Sequence, residues 1–312
     1  MAFTRIPGNA FSFWIRRTLR WSRGRPALTQ EPKHDLFRYL SSTGGVAESA
    51  VKSVAEITAG AREADLRKRY QLEPLAREST QALYRKNLYL LDILEKAAEG
   101  LPIPSVKDGS VKDGSVGEGN TKITSMDIGS QDWHYVFGLE RWLRFAGEAG
   151  LSGGEDFSAG RMVSLRGLEV DGYGIYPDFR SRKDYAEAYC AQTGNTGVTY
   201  EIEDALECSD GGIDLITIFY PFVARHHLLL WGLPLRFFRP AQMLAKAASL
   251  LRPGGWLLVF THTLKEHELF LGLGKAEGAL ILAKEGRAAS NLVDFHEDVA
   301  DRRYSVWKRR SG

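Results

Sequence analysis

Two acids and a glycine near the middle of the chain have the spacing that small-ligand chemistry needs. One apolar run ends in Asp127-Ile-Gly129-Ser130-Gln131-Asp132-Trp133, a second in Gly167-Leu-Glu169-Val-Asp171, and a third in Glu201-Ile-Glu203-Asp204-Ala205. A glycine directly after a strand permits a tight left-handed turn and lets backbone approach a ligand closely. A carboxylate leaving the next strand accepts from two hydroxyls at once, which is what a ribose demands. Glu169 is the expected ribose acid, with Asp171 competing for the role. Asp204 falls where an adenine amino group would be recognised, and is equally placed to cap a helix. Glu169 follows Gly129 by 40 positions, against the roughly 20 usual in nucleotide folds; the Gly- and Ser-rich loop Gly150–Gly160 absorbs the surplus.

Groups able to take a proton from an O–H or N–H follow the fourth and fifth apolar runs of this half: Tyr220, His226, His227 and His262. They are candidate catalytic residues, and each is as readily structural. Other patterns are discounted. Gly272-Leu-Gly274-Lys-Ala-Glu-Gly278 imitates a phosphate loop but has no strand before it and no helix after it. His262-Thr-Leu-Lys-Glu266-His267 misses a zinc pattern because position 263 is Thr. Adjacent His226 and His227 cannot both face one metal from a regular helix, and no metal is expected.

The elements that must position these groups alternate. Ile123–Ile128, Ser164–Val170, Val198–Glu203, Asp214–Phe219 and Trp256–Thr261 read as strands, and Tyr135–Ala149, Lys183–Thr193 and Pro240–Leu251 as the helices between them; Ala279–Ala283 and Tyr304–Lys308 add two last strands. Strand–helix alternation predicts an α/β fold with a doubly wound, mostly parallel sheet. Ligands of such sheets bind beyond the carboxyl ends of the strands, where strand order reverses. Upstream, residues 1–30 form a basic arm in which Phe11, Trp14, Ile15 and Leu19 recur at helical spacing opposite Arg16, Arg17 and Arg20. Residues 31–101 read as a helical cap or bundle, with one helix running from Glu73-Pro74 to Gly100. Residues 102–121 carry a tandem Ser-Val-Lys-Asp-Gly pentamer, too polar to bury a core, and are expected to be a flexible linker. Residues 122–312 are the α/β domain.

From about Lys122 to Lys308 the chain resembles the class I S-adenosylmethionine-dependent methyltransferases. The most specific element is Leu251-Arg-Pro-Gly254-Gly255 before Trp256-Leu-Leu-Val-Phe260, the tight turn that enters the fifth strand in that family. Asp127-Ile-Gly129-Ser130 resembles the first motif, Gly167-Leu-Glu169 the second, Glu203-Asp204-Ala205 the third and Asp214–Phe219 the fourth strand. The resemblance implies a Rossmann-like sheet of seven strands ending in an antiparallel hairpin. It also implies S-adenosyl-L-methionine as cofactor, held by Asp127, Gly129, Ser130, Glu169, Asp204, Ala205 and Phe219, and methyl transfer as the activity. The family's Gly-x-Gly-x-Gly run is reduced to Gly129, with Gln131 and Trp133 at the later places. Gln131 obstructs a pyrophosphate and so disfavours NAD and FAD, whereas S-adenosylmethionine has no phosphate to accommodate. The depleted loop also motivates an alternative, a non-catalytic scaffold on the same fold at a membrane surface.

Charge and composition set further bounds. The 41 Lys and Arg nearly balance 39 Asp and Glu, but six arginines and no acid lie in residues 1–30, which leaves the remainder at −4. A nucleic-acid binder spreads positive charge over its body, so nucleic acid is not expected as a partner. A small-molecule or lipid-like acceptor is expected. Two cysteines make no disulfide framework, and no apolar run approaches the ~20 residues of a membrane span. A cytoplasmic protein is expected, with peripheral membrane contact through residues 1–30 an option beside organellar import and plain packing of the arm.

Overall fold

The fold is seen in a computed structural model, which describes residues 9–26, 28, 54–101, 106–107, 121–146, 161–290, 292 and 301–311. The pentamer linker (beyond residues 106, 107 and 121), the Gly150–Gly160 loop, residues 29–53 and residues 1–8 lie outside the described residues.

In chain order the helices and strands are α1 (Asn9–Leu19), α2 (Val54–Arg69), α3 (Glu73–Glu78), α4 (Gln81–Ala98), β1 (Val106–Lys107), β2 (Thr121–Ile128), α5 (Val136–Phe145), β3 (Met162–Leu168), α6 (Arg182–Gln192), β4 (Val198–Glu201), β5 (Ile213–Phe219), α7 (Arg225–Leu230), α8 (Pro240–Leu250), β6 (Leu251–Thr261), α9 (Leu264–Ala276), β7 (Leu280–Arg287) and β8 (Arg303–Arg309). The sheet order is β4-β3-β2-β5-β6-β8-β7, with β1 added antiparallel to β2. The strands β4, β3, β2, β5 and β6 pair in parallel, and β8 runs antiparallel to both β6 and β7. This is the seven-stranded, Rossmann-like arrangement of class I methyltransferases, closing hairpin included, with one short extra strand.

Burial explains why these strands form. All seven residues of β5 are buried, as a central parallel strand covered on both faces requires. One core on one face joins α4, α5 and α6 to the sheet through Leu88, Leu91, Val136, Leu139, Tyr185, Ile123 and Leu215; the other face packs on α8 and α9 through Leu244, Ala247, Phe270, Ile216 and Leu257.

Three elements differ from the sequence reading. The helix expected from Glu73 to Gly100 is two, because the Thr80 side chain accepts from the Leu83 N–H at 3.2 Å and starts α4 afresh. The Arg252–Gly255 stretch is part of β6 and carries a register irregularity against β5. Gly255 is needed there: a Cβ would lie 2.9–3.1 Å from the carbonyls of Arg252, Ile213 and Asp214. Helix α9, not read from the sequence, holds Gly272 and Gly274 of the discounted phosphate-loop pattern. At Gly274 a Cβ would meet the Trp307 ring at 2.3 Å, so that glycine is a packing device between α9 and β8. No helix among the described residues is long and apolar enough to cross a membrane.

Candidate functional site

Strand order reverses at β2, which has β3 on one side and β5 on the other. The chain beyond Ile128 therefore lies at the switch point where such sheets bind ligands. Gly129 (φ +80°), Gln131 (φ +55°) and Trp133 (φ +55°) are all left-handed. For the two non-glycine residues this costs about 1 kcal/mol each or more, and named bonds offset it. The N–H groups of Gly129 and Ser130 donate to the Leu168 carbonyl at 2.8 and 3.2 Å, and the Ser130 hydroxyl to the same oxygen at 3.3 Å. The Gln131 N–H donates to Glu169 Oε2 at 2.9 Å, and its carbonyl accepts from the Tyr200 hydroxyl at 2.5 Å. Trp133 turns down into the core, fully buried, with its indole N–H on Asp127 Oδ2 at 2.8 Å. Its ring lies against Gly167, where any Cβ would fall 2.8 Å from ring carbons.

Asp127 is enclosed below this loop. Its Oδ2 also accepts from the Tyr135 hydroxyl at 2.7 Å, and Oδ1 from the Thr217 hydroxyl at 2.6 Å. Burial pushes its carboxyl up to about 6 against the pull of those three donors. The structure thus makes Asp127 a bracket joining β2, β5 and the turn.

The two acids after β3 diverge. Glu169 takes two backbone amides, Gln131 on Oε2 and Asp171 on Oε1 at 2.8 Å, and burial raises its pKa while the nearby Arg182 opposes the rise. A carboxylate has about four lone-pair sites, so acceptor capacity remains beyond those amides. Asp171 is instead gripped by Arg16, through Nε and Nη2 at 3.0 Å each, and by Arg182 at 3.3 Å. Asp204 pairs with Arg239 and accepts from the Leu206 N–H at 3.1 Å, while Ala205 sits in the core with Ile128 and Leu168.

On the β5–β6 side, Phe219 is sandwiched by rings, Phe260 at 4.9 Å and nearly parallel, and Tyr135 at 4.9 Å. Tyr220 is left-handed (φ +60°), held by its N–H on the Phe260 carbonyl at 2.7 Å. Its ring stacks on His262 at 3.8 Å and 13°. Tyr220 and His262 are therefore brought together beyond the ends of β5 and β6. His226 is not placed with them by any contact described: it stands on α7 with its ring 3.8 Å from His227, and burial together with His227 lowers its pKa. His227 pairs with Glu266, which caps α9. No local pattern signals Arg302, whose guanidinium lies 5.5 Å from the Tyr220 ring and 5.3 Å from that of Tyr89.

The arm closes over this edge. Asn9 donates to the Leu229 and Leu233 carbonyls at 3.0 and 3.3 Å, and Phe13 is buried among Leu228, Leu229, Leu233 and, 5.0 Å between ring centres, Phe237. With Arg16 on Asp171, α1 bridges the segment after β5 and the loop after β3.

No family model matches the chain, and no curated protein does. Solved structures match at low identity. The N-methyltransferase NodS of Bradyrhizobium japonicum, in complex with S-adenosylhomocysteine, is 12% identical with a TM-score of 0.40, over 80% of this chain and 98% of that one. The 16S rRNA methyltransferase KamB is 16% identical with a TM-score of 0.39, over 60% and 88%. TrmN from Thermus thermophilus is 15% identical with a TM-score of 0.37, and the chain spans only 44% of its length. The likeness is one of fold: the sheet order and the closing antiparallel hairpin are those of class I methyltransferases. One expectation is corrected: nucleic acid is not excluded as a partner, since KamB, named for a ribosomal RNA, is among these matches. Net charge summed over a chain averages away local patches such as the arginine arm, so it was the wrong quantity for that exclusion.

Proposed function

We propose that the protein is an S-adenosylmethionine-dependent methyltransferase. The observation that carries this reading is Glu169: a buried carboxylate with acceptor capacity left, at the end of the second parallel strand, tied to the left-handed turn at the switch point. Its chemistry fits an adenosyl group, whose two ribose hydroxyls need an acceptor inside a dry crevice. When bound, the cofactor supplies an electrophilic methyl carbon on a sulfonium.

This chain's own residues do the rest. Glu169 accepts the ribose hydroxyls, the Gly129–Gln131 turn shapes the floor, and Asp204 and Ala205 border the adenine. Asp127 and Trp133 hold the turn from below. Tyr220 and His262 stand where a proton from an acceptor O–H or N–H would be taken. Residues 31–101 would cover the acceptor, with α4 packed into the same core as α5 and the sheet.

One observation favours the rival scaffold reading. The N–H groups of Gly129, Ser130 and Gln131 are all bonded inside the protein, so this turn offers those amides to no ligand. Calorimetric titration of the folded full chain with S-adenosylhomocysteine separates the two: micromolar or tighter binding supports the enzyme, and no binding supports the scaffold.

A further inference from the structure

The α1 helix has two faces, and only one is used by the fold. Asn9, Phe13 and Arg16 point inward, to the Leu229 and Leu233 carbonyls, the Leu228–Phe237 pocket and Asp171. Phe11 and Trp14, one turn apart, stack on each other at 6.3 Å on the outside, 64% and 60% exposed. Leu19 follows at 69%. The surface continues into the body: Trp21 donates to the Phe179 carbonyl at 2.7 Å, and exposed Leu230 adjoins the Leu229 carbonyl that Asn9 holds. Phe11, Trp14, Leu19, Trp21, Phe179 and Leu230 make up six of the eleven large apolar side chains standing exposed among the described residues. Arg17, Arg20 and Arg25 are exposed on the same segment, which has no acid between residues 1 and 30, whereas the remainder of the chain is net negative.

We propose that this outward face docks on an anionic lipid bilayer. An exposed apolar ridge bearing tryptophan, flanked by arginines, sinks into the headgroup boundary while the cations meet lipid phosphates. The packing of Phe13 and the ion pair of Arg16 set the orientation: the helix lies flat on the body, its outer ridge parallel to the surface it meets. The aliphatic members, Leu19 and Leu230, favour acyl chains over stacked bases, which need aromatic platforms. Docking would hold the carboxyl edge of the sheet, which α1 bridges, against the bilayer. This inference stands apart from the methyl-transfer reading.

The test is flotation of the full chain with vesicles of phosphatidylglycerol and phosphatidylcholine, and with phosphatidylcholine alone. The protein should float with the anionic vesicles and release at high salt. Phe11→Ser with Trp14→Ser should lower partitioning about tenfold or more. Arg17→Gln and Arg20→Gln should lower it about fivefold each. Both pairs should leave the thermal unfolding midpoint unchanged, since these side chains face outward. Absence of flotation with anionic vesicles at low salt overturns the proposal, as does partitioning unaffected by the Phe11 and Trp14 substitutions. A single-stranded RNA oligomer that binds more tightly than the vesicles, and is lost in the same variants, assigns the face to nucleic acid instead. S-adenosylhomocysteine titration of the same samples reports separately on the cofactor site.

Discussion

Arg16 of α1 and Asp171, 155 positions apart in sequence, meet as a two-pronged ion pair at 3.0 Å on both prongs, two residues beyond the carboxylate proposed to hold a ribose. The bond fastens the basic arm to the loop that follows β3. Asp171 is almost fully buried and Arg16 partly so, so the pair gains more than an exposed one.

Arg16→Ala should therefore lower stability by about 1–2 kcal/mol, below the full cost of breaking a buried pair because Arg182 still neutralises Asp171. Chemical denaturation measures the loss. If α1 covers the cofactor, the same variant should also speed S-adenosylhomocysteine dissociation in stopped-flow. An unaltered denaturation midpoint would show that the arm is not fastened there.

Glu169 and Asp171 are separable by substitution. Glu169→Ala removes the proposed ribose acceptor and strands two amides; it should weaken S-adenosylhomocysteine binding about 100-fold, as loss of two charge-assisted hydrogen bonds implies. Asp171→Ala should cost less than about fivefold, since that carboxylate is engaged by arginines. The opposite ranking in calorimetry would reassign the sugar contact to Asp171.

Asp127 gives stability a pH slope of known sign. Its folded pKa, about 6, lies above the ordinary 3.8. Between those values the folded protein holds a proton that the unfolded chain has released, so the contribution is complete below about 3.8 and is lost as pH rises to about 6. The whole span corresponds to about 3 kcal/mol. In Asp127→Asn the amide oxygen can still accept from Trp133 and Tyr135, and the amide nitrogen can donate to Thr217. That variant should be at least as stable as the parent at pH 7 and lack this part of the slope. Parallel pH profiles from pH 4 to 7 would refute the assignment.

Gly167 leaves no room for a side chain beneath Trp133. Gly167→Ala should cost about 1–3 kcal/mol, the usual penalty of overpacking. Trp133→Leu in the same chain should recover part of that loss, giving a double-mutant cycle with clear coupling. Strict additivity would mean the ring does not rest on that glycine.

The sheet was legible because central parallel strands, buried on both faces, must be written as apolar runs; β5 and the second half of β6 carry that signature plainly. Glu169 stood out as an acid at the end of β3, and the structure ties it to the turn through the Gln131 amide; its ribose role is the proposal above. Partners far apart in sequence were not legible. No local pattern ties Arg16 to Asp171, or Arg302 to Tyr220. Asp127 was read as a ligand group because an acid before a glycine turn suits one, yet Trp133, Tyr135 and Thr217 enclose it. Helix α9 went unread because its glycines imitate a phosphate loop and nothing nearby announces that Trp307 comes to rest on Gly274.

The placement of α1 also sets an order of assembly. An eleven-residue helix does not hold its shape alone in water, and its anchors, Asp171, Leu229 and Phe237, leave the ribosome more than 150 residues after it. The arginine-rich segment is thus an unanchored cation until the loop after β3 and the segment after β5 have been made and folded.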